Sequence, residues 1–373
     1  MKNILILGGT GAMGVYLVDI LAKTGRYNIV ITSRNAHQSS GTLSYVQGNA
    51  RDNAFLYPLL EKRFDAIVDF MNYDLDEFAL RCNQLLTSTS HYIWFSSCRV
   101  YANSKTPLDE KSARLLETTT DQCFLATNRY ALRKARQEDI IKKSGFSNYT
   151  IIRPYITYGV ERLQLGIYEK EQWLFRILQG KDLVINSGIL DKTTTLTYGN
   201  DVSTAISKII LNEKAMGKVI QIASDKTMKW SEILELYLSV IKTECGISPQ
   251  IYTSDSMQAI DELYEGGYNT IYDRVYNRSF KSRLIEDVIG EKIEYTDMKS
   301  GLISCLTNFL KSDKHFLKID WIYEAYQDIL TNQYYDANVF ATKEDMSLYN
   351  EYRNKPLSDI KGLKKDLYIY KSC

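Results

Sequence analysis

A tyrosine four residues before a lysine can do acid/base chemistry if a helix holds both on one face, one turn apart. The ammonium then favours the phenolate and lowers the phenol's pKa from its usual ~10, so the hydroxyl can give or take a proton near neutrality. Tyr-x-x-x-Lys occurs three times in this chain, as Tyr101/Lys105, Tyr130/Lys134 and Tyr295/Lys299. With 28 tyrosines, chance matches are expected and context must decide. Tyr101 lies in the turn-like "YANSKTP", and Tyr295 in "YTDMK", far beyond the first domain. Tyr130 opens "NRYALRKARQEDIIKK", a strong helix former, so Tyr130 and Lys134 are the acid/base candidates. The plainer alternative is an ordinary helix face with an exposed lysine.

A second stretch, "IWFSSCRVYANS" (93–104), runs from an apolar strand into small polar groups, Ser96, Ser97, Cys98 and Arg99. By itself it is either a strand fraying into a loop or the lip of an active site.

"LILGGTGAMGVYLVDILAKTG" sets Gly8, Gly9, Gly11 and Gly14 between a strand and a helix. Gly9, Gly11 and Gly14 satisfy G-x-G-x-x-G, and Gly8, Gly11 and Gly14 satisfy G-x-x-G-x-x-G. Such a turn lets backbone N–H groups approach a pyrophosphate at the positive end of the helix, so Gly8, Gly11, Ala12 and Met13 are cofactor-binding candidates. About 20 residues on, an acid would bind the adenosine ribose of NAD. The stretch reads "ITSRNAHQ", with Ser33 and Arg34 and no carboxylate. A hydroxyl and a guanidinium suit a 2′-phosphate, which favours NADP over NAD as cofactor. The alternative for Arg34 is a solvated loop residue.

The elements that would position these groups follow from hydrophobic patterning. The runs 3–7, 28–32, 43–47, 65–70, 92–96 and 149–154 are nearly continuously apolar, as strands buried on both faces are. Between them, 12–24, 53–62, 75–88 and 129–144 carry helical periodicity. That alternation predicts an α/β fold with a doubly wound parallel sheet and right-handed crossovers. After about residue 155 the alternation loosens. Helices are expected near 168–179, 200–212, 229–243 and 300–311, and short strands near 183–186, 195–198 and 218–223. The chain is therefore divided into a dinucleotide-binding domain over 1–160, with returning segments near 195–225, and a smaller mixed C-terminal substrate domain over 161–373. The last ~40 residues are aromatic but weakly periodic, and a surface wrap is expected of them.

Bulk properties bound the function. The 373 residues carry a net charge of +1, so no global basic field argues for nucleic acid. No apolar run reaches the ~18 residues of a membrane span. "MKNILILGG" leads into glycines without a small-residue cleavage site and reads as a first strand rather than a signal peptide. The cysteines (82, 98, 123, 245, 305 and 373) show no C-x-x-C spacing, which suits reduced thiols in a cytoplasmic protein. With only His37, His91 and His315, neither a zinc site nor a Ser-His-Asp arrangement is expected.

The glycine turn, "FSSCRVY", "YALRK" and "IIRPYITYG" occur in an order that resembles the extended short-chain dehydrogenases/reductases, the NAD-dependent epimerase/dehydratase family, over roughly residues 1–225. The resemblance implies a Rossmann-type sheet, a nicotinamide cofactor, a nucleotide-sugar substrate and a Ser/Thr-Tyr-Lys catalytic set. Carried over by position, Ser97 donates to the reacting sugar oxygen and Tyr130 is the acid/base. Lys134 holds the nicotinamide ribose and tunes Tyr130. Asn49 and Ala50 fall by the adenine, Phe70 and Met71 along the cofactor, and Pro154 and Tyr155 near the nicotinamide. Ser96 is then a structural hydroxyl. A homodimer is the assembly considered.

The chain departs from the family where dehydratases carry Asp-Glu after the catalytic Ser/Thr. Those positions are Cys98 and Arg99, assigned here to the substrate pocket, with a small buried filler as the alternative for Cys98. The arginine-bearing strand of sugar epimerases reads "TTTLTYGND", so Arg274 and Arg278, four residues apart, are offered as helix-face partners for a diphosphate. The expected function is epimerisation of a nucleotide sugar by reversible hydride transfer at one carbon. The alternatives are an NADPH-dependent nucleotide-keto-sugar reductase, and a non-catalytic dinucleotide-binding sensor or RNA-associated protein.

Overall fold

The computed structural model describes residues 1–371, so Cys373 lies outside the described residues; the other five cysteines are free thiols. The chain divides into two compact units. The first comprises Met1–Gly159, Thr195–Lys226 and Ser279–Met298, and the second Val160–Thr194, Thr227–Arg278 and Lys299–Cys373. No helix among the described residues is long and apolar enough to cross a membrane.

The first unit alternates β1 (Lys2–Leu7), α1 (Gly14–Thr24), β2 (Tyr27–Ser33), β3 (Leu43–Gln47), α2 (Asn53–Leu60), β4 (Phe64–Asp69), α3 (Leu75–Thr87), β5 (Thr89–Phe95) and, after the Tyr130–Lys143 helix, β6 (Tyr149–Pro154). These strands and Lys218–Ile222 form one seven-stranded sheet, in the order Lys218–Ile222, β6, β5, β4, β1, β2, β3. Every pairing in it is parallel. This is a Rossmann-like doubly wound α/β sheet. Its order reverses between β1 and β4, the point at whose carboxyl side such sheets bind ligands.

Period-2 alternation explains why the strands are apolar throughout. In β1, Ile4 and Ile6 pack on one face with Leu17, Leu21 and Ile206. Leu5 and Leu7 pack on the other with Leu56, Phe78 and Trp94. The α1 helix stops at Gly25, whose φ of 63° caps it in the left-handed region that glycine adopts freely.

Ser279–Met298 also returns to the first unit, beyond the returning segments near 195–225 that the sequence suggests. It brings Tyr295 against that unit's core, although the sequence spacing put this tyrosine far from it. Apolar Ile285 and Val288 draw the segment back, since both are buried with the sheet.

In the second unit, Ile251–Ser254 pairs in parallel with Leu183–Asn186 and antiparallel with Tyr368–Ile369. The C-terminal stretch is more than a wrap. Helix Lys343–Arg353 sinks Tyr349 into a cluster with Phe175, Trp321 and Ala325. Only Tyr349 of this helix is buried, so the helical period is faint in the sequence.

Candidate active site

The carboxyl ends of β1 to β4 open onto a cleft of about 330 Å³ lined by Gly8, Thr10, Gly11, Thr32–Arg34, Gly48–Arg51 and Met71. The sequence placed these segments at one ligand site by motif, and the sheet order brings them to one edge. Gly8 has a φ of +73°, which favours glycine, and a Cβ there would press on Met71 Sδ at 3.2 Å. The Gly8 N–H donates to Thr32 Oγ1 at 3.3 Å, tying the turn to β2. A Cβ on Gly14 would lie 2.7 Å from Gly9 backbone, which lets α1 start hard against the turn.

The N-cap residue of α1, Met13, gives no side-chain cap, and the first turn holds no acid. Uncapped N–H groups at a positive helix end suit an anion. The Met13 carbonyl accepts from Ser203 Oγ at 2.9 Å, so Met13 is anchored from the Gly199–Ile209 helix. The Gly8 and Gly11 N–H groups already donate, to Thr32 Oγ1 and to the Gly8 carbonyl at 3.3 and 3.1 Å, so the N–H groups of Ala12 and Met13 are what the turn offers a dinucleotide pyrophosphate.

Beyond the turn, Arg34 is exposed on the cleft lip, and Ser33 is buried with its Oγ 3.0 Å from His37 Nε2. His37 in turn stacks on Tyr45, ring centres 4.9 Å apart. Asn49 is exposed and Ala50 buried beneath the same lip. Arg81, 2% exposed, holds that lip from α3 by donating to the carbonyl oxygens of Ala50 and Arg51. Phe70 stacks on Phe95, linking the ends of β4 and β5. Tyr155, just after β6, is buried against Phe280.

The end of β5 holds the candidate acid/base groups. Ser97 caps the short turn Cys98–Val100, its Oγ accepting from the Arg99 N–H at 3.2 Å. A hydroxyl has one proton and two lone pairs, so this bond leaves the Ser97 proton to be given elsewhere. The Tyr130–Lys143 helix starts at Tyr130 and puts Lys134 on the same face. Lys134 Nζ is buried, 2.7 Å from the Phe95 carbonyl oxygen, 4.5 Å from the centre of the Trp94 ring and 5.9 Å from that of Tyr130. The guanidinium carbons of Arg99 and Arg133 lie 4.7 and 6.0 Å from the same tyrosine ring. Burial pushes the Lys134 ammonium down to about 7, against the opposing pull of Asp69. Burial likewise lifts the Asp69 carboxyl to about 6, although Met71 N–H, Tyr92 and Tyr73 all donate to it.

The phenols of the other two Tyr/Lys pairs are raised, the wrong direction for acid/base work near neutrality. Tyr101 is fully buried with its phenol well above the ordinary range, chiefly by desolvation, and burial also raises Tyr295. Ser96 donates to Glu138 Oε1 at 2.6 Å, a structural bond. Cys98 is fully buried and its thiol donates to the Arg153 carbonyl at 3.1 Å, as a packed filler would.

Arg274 and Arg278 do not share a helix face. The helical turn Thr270–Arg274 ends at the first of them. Both are buried on one carboxylate, Asp273, with Arg274 Nε also on the Gly166 carbonyl at 2.8 Å. Desolvating two guanidiniums requires such pairing, so the basic run is an internal ion-pair cluster of the second unit.

Sequence reasoning passed over Glu138 and Asp69. Glu138 takes a forked pair of bonds from Arg153 at 2.7 and 2.6 Å and one from Arg114 at 3.0 Å. Its position four residues after Lys134 is the signal that could have flagged it. Asp69 is the carboxyl that closes the apolar run 66–68 of β4, which is a signal of the same kind.

Comparison with known proteins bears on the fold and the family. The chain is 26% identical over 242 residues to a chloroplast stem-loop binding protein of 41 kDa from Arabidopsis thaliana, covering 60% of this chain and 59% of that protein. It is 20% identical over 240 residues to 2′-dehydrokanamycin reductase of Streptomyces kanamyceticus, covering 62% and 65%. The chain thus spans about three fifths of the length of the curated relatives it matches. Its fold is similar to that of dTDP-glucose 4,6-dehydratase from Bacillus anthracis, solved with NAD (TM-score 0.62, 16% identity, 85% of this chain and 99% of that one). It is equally similar to UDP-N-acetylglucosamine 4-epimerase from Methanobrevibacter ruminantium (TM-score 0.62, 19% identity, 83% and 98%). Residues 4–223 match the NAD dependent epimerase/dehydratase family, and the chain belongs to that family.

Proposed function

We propose that the protein epimerises a nucleotide-linked sugar by reversible hydride transfer at one carbon, with NADP as the preferred cofactor. The observation that carries this is how the helix opened by Tyr130 meets the end of β5: Lys134 Nζ bonds the Phe95 carbonyl two residues before Ser97, and Arg99, two residues after Ser97, lies over the Tyr130 ring, in the unit that holds the glycine-turn cleft. A bound nicotinamide supplies the hydride acceptor and donor. Ala12 and Met13 hold its pyrophosphate on the turn that Gly8 and Gly11 shape. Ser33 and Arg34 receive the 2′-phosphate, while Asn49, Ala50, Phe70, Met71, Pro154 and Tyr155 line the rest of its length. Tyr130 takes the proton of the sugar hydroxyl as the ketone forms and returns it after the sugar has turned over. Lys134 keeps positive charge near that phenol, and Ser97 donates to the same sugar oxygen.

A second reading, one-way reduction of a nucleotide keto-sugar, is favoured by the missing carboxylate after β2. NADP-type recognition suits an exchangeable reductant, and one relative is named a reductase.

One experiment separates them. The purified protein is examined for retained cofactor, then given a panel of nucleotide sugars with and without NADPH. Retained cofactor and a product of unchanged mass support the epimerase. Stoichiometric NADPH consumption with a keto-sugar supports the reductase. Cofactor binding without turnover of any sugar overturns both in favour of a sensor.

A further inference from the structure

We propose that Arg99 is a positioning residue that acts on the reaction through Tyr130. The inference rests on Tyr130 being the acid/base. Arg99 engages both other groups of the site. Its backbone N–H occupies a lone pair of Ser97 Oγ at 3.2 Å, and its guanidinium carbon lies 4.7 Å from the centre of the Tyr130 ring. That is closer than either Arg133, at 6.0 Å, or Lys134, at 5.9 Å.

The backbone fixes this placement. Ser97 caps a single turn over Cys98–Val100, and Cys98 is anchored by its thiol on the Arg153 carbonyl, so the next side chain emerges in one direction. Arg99 is half-buried and its Nε is shielded from water, so the guanidinium is not a free surface charge. A planar cation over an aromatic face holds the ring by its quadrupole and by its shape. Tyr130 is the first residue of its helix, and the residue before it, Arg129, gives no side-chain cap. Arg99 lies over the face of that ring and narrows the directions in which its hydroxyl can aim, and the same turn leaves the Ser97 proton directed away from Arg99 N–H. The two substrate-facing hydroxyls are thereby set from one residue.

The test is a double-mutant cycle of Arg99→Met with Tyr130→Phe, alongside Arg99→Lys, on a sugar the wild type turns over. Arg99→Met is expected to lower kcat about ten- to a hundredfold with the sugar KM and the NADPH Kd nearly unchanged, the cost of misplacing a reacting group. Arg99→Lys recovers little of this, because an ammonium does not lie flat on the ring. In the Tyr130→Phe background, Arg99→Met changes the residual rate less than about twofold, since residues acting as a unit are not additive. Equal losses in both backgrounds, or a raised KM with unchanged kcat, would mean that Arg99 meets the substrate directly and would overturn the proposal. A second readout is independent of activity. In protein carrying 13C-labelled tyrosine, the ring signal absent from Tyr130→Phe should move in Arg99→Met, and its failure to move overturns the proposal. Should Tyr130→Phe keep full activity, the acid/base assignment falls, while the ring signal still decides whether Arg99 holds Tyr130.

Discussion

The ammonium of Lys134 lies 2.7 Å from the carbonyl oxygen of Phe95, the last residue of β5. That bond joins the helix bearing Tyr130 to the strand that leads into Ser97. It also places the charge over Trp94 in a buried site, where burial favours the neutral amine.

A pH dependence follows. The folded protein gives up the Lys134 proton at about 7, well below the ordinary 10.5 that the unfolded chain keeps. If Tyr130 needs that charge, activity falls as pH rises through about 7. Stability of the cofactor-free protein moves the other way. Between about 7 and 10.5 the unfolded chain binds the extra proton, so the penalty of burying the charge is relieved as pH rises. Denaturant titrations across that window should show this contribution in the wild type and lose it in Lys134→Met. The variant should also lose about a hundredfold or more in rate.

Glu138 acts in the acid range, where it too makes stability rise with pH. Burial alone would raise its pKa, but the bonds and charge of Arg153, with Lys142 and Ser96, hold it down at about 2. The stability this contributes is complete above about 4.5 and is lost as pH falls toward 2, about 3 kcal/mol in all. Glu138→Gln leaves Arg153 without its charge partner and should cost about 3–5 kcal/mol at neutral pH. A smaller loss in urea unfolding would show that the cluster repacks.

Gly14→Ala tests the glycine turn. The added Cβ meets Gly9 backbone at 2.7 Å, and backbone cannot swing aside as a side chain can. The expected outcome is a loss of about 1–3 kcal/mol, as for overpacking, together with weaker cofactor binding. Gly25→Ala, with open space around its Cβ but a φ of +63°, should lose stability and leave cofactor binding intact.

Cofactor choice is read from Ser33 and Arg34. NADP(H) is expected to bind more tightly than NAD(H), and Arg34→Gln to remove about tenfold of that preference, or 1.4 kcal/mol. Equal or tighter NAD(H) binding by calorimetry would show that Arg34 serves only as a solvated loop residue.

The sheet and its glycine turn were legible because period-2 apolar runs, a strand-turn-helix glycine pattern and Tyr130/Lys134 on one helix are local signals. What depended on distant partners was not. Arg274 and Arg278 looked like a ligand face because nothing local says that Asp273 lies beneath both. Glu138 reads as one charge among many in "RQEDIIKK" until β6 brings Arg153 to it. Tyr295 seemed remote because a chain that returns after residue 279 leaves no mark in spacing. The role of Arg99 likewise needed the ring of Tyr130, 31 positions away in the sequence, to be seen above it.

The activity proposed is proton and hydride exchange at one sugar carbon, worked by Tyr130, with no water lost. Dehydration needs an acid to protonate the departing hydroxyl. The positions after Ser97 offer a buried thiol bonded to a carbonyl and a permanently charged guanidinium. The direct measurement is mass spectrometry of products from a nucleotide-sugar panel, with wild type and Tyr130→Phe side by side. The account predicts products of unchanged mass, or heavier by two hydrogens when NADPH is consumed, with Tyr130→Phe slower by about 10²–10⁴. A product lighter by one water, formed by the wild type and absent with Tyr130→Phe, would contradict it.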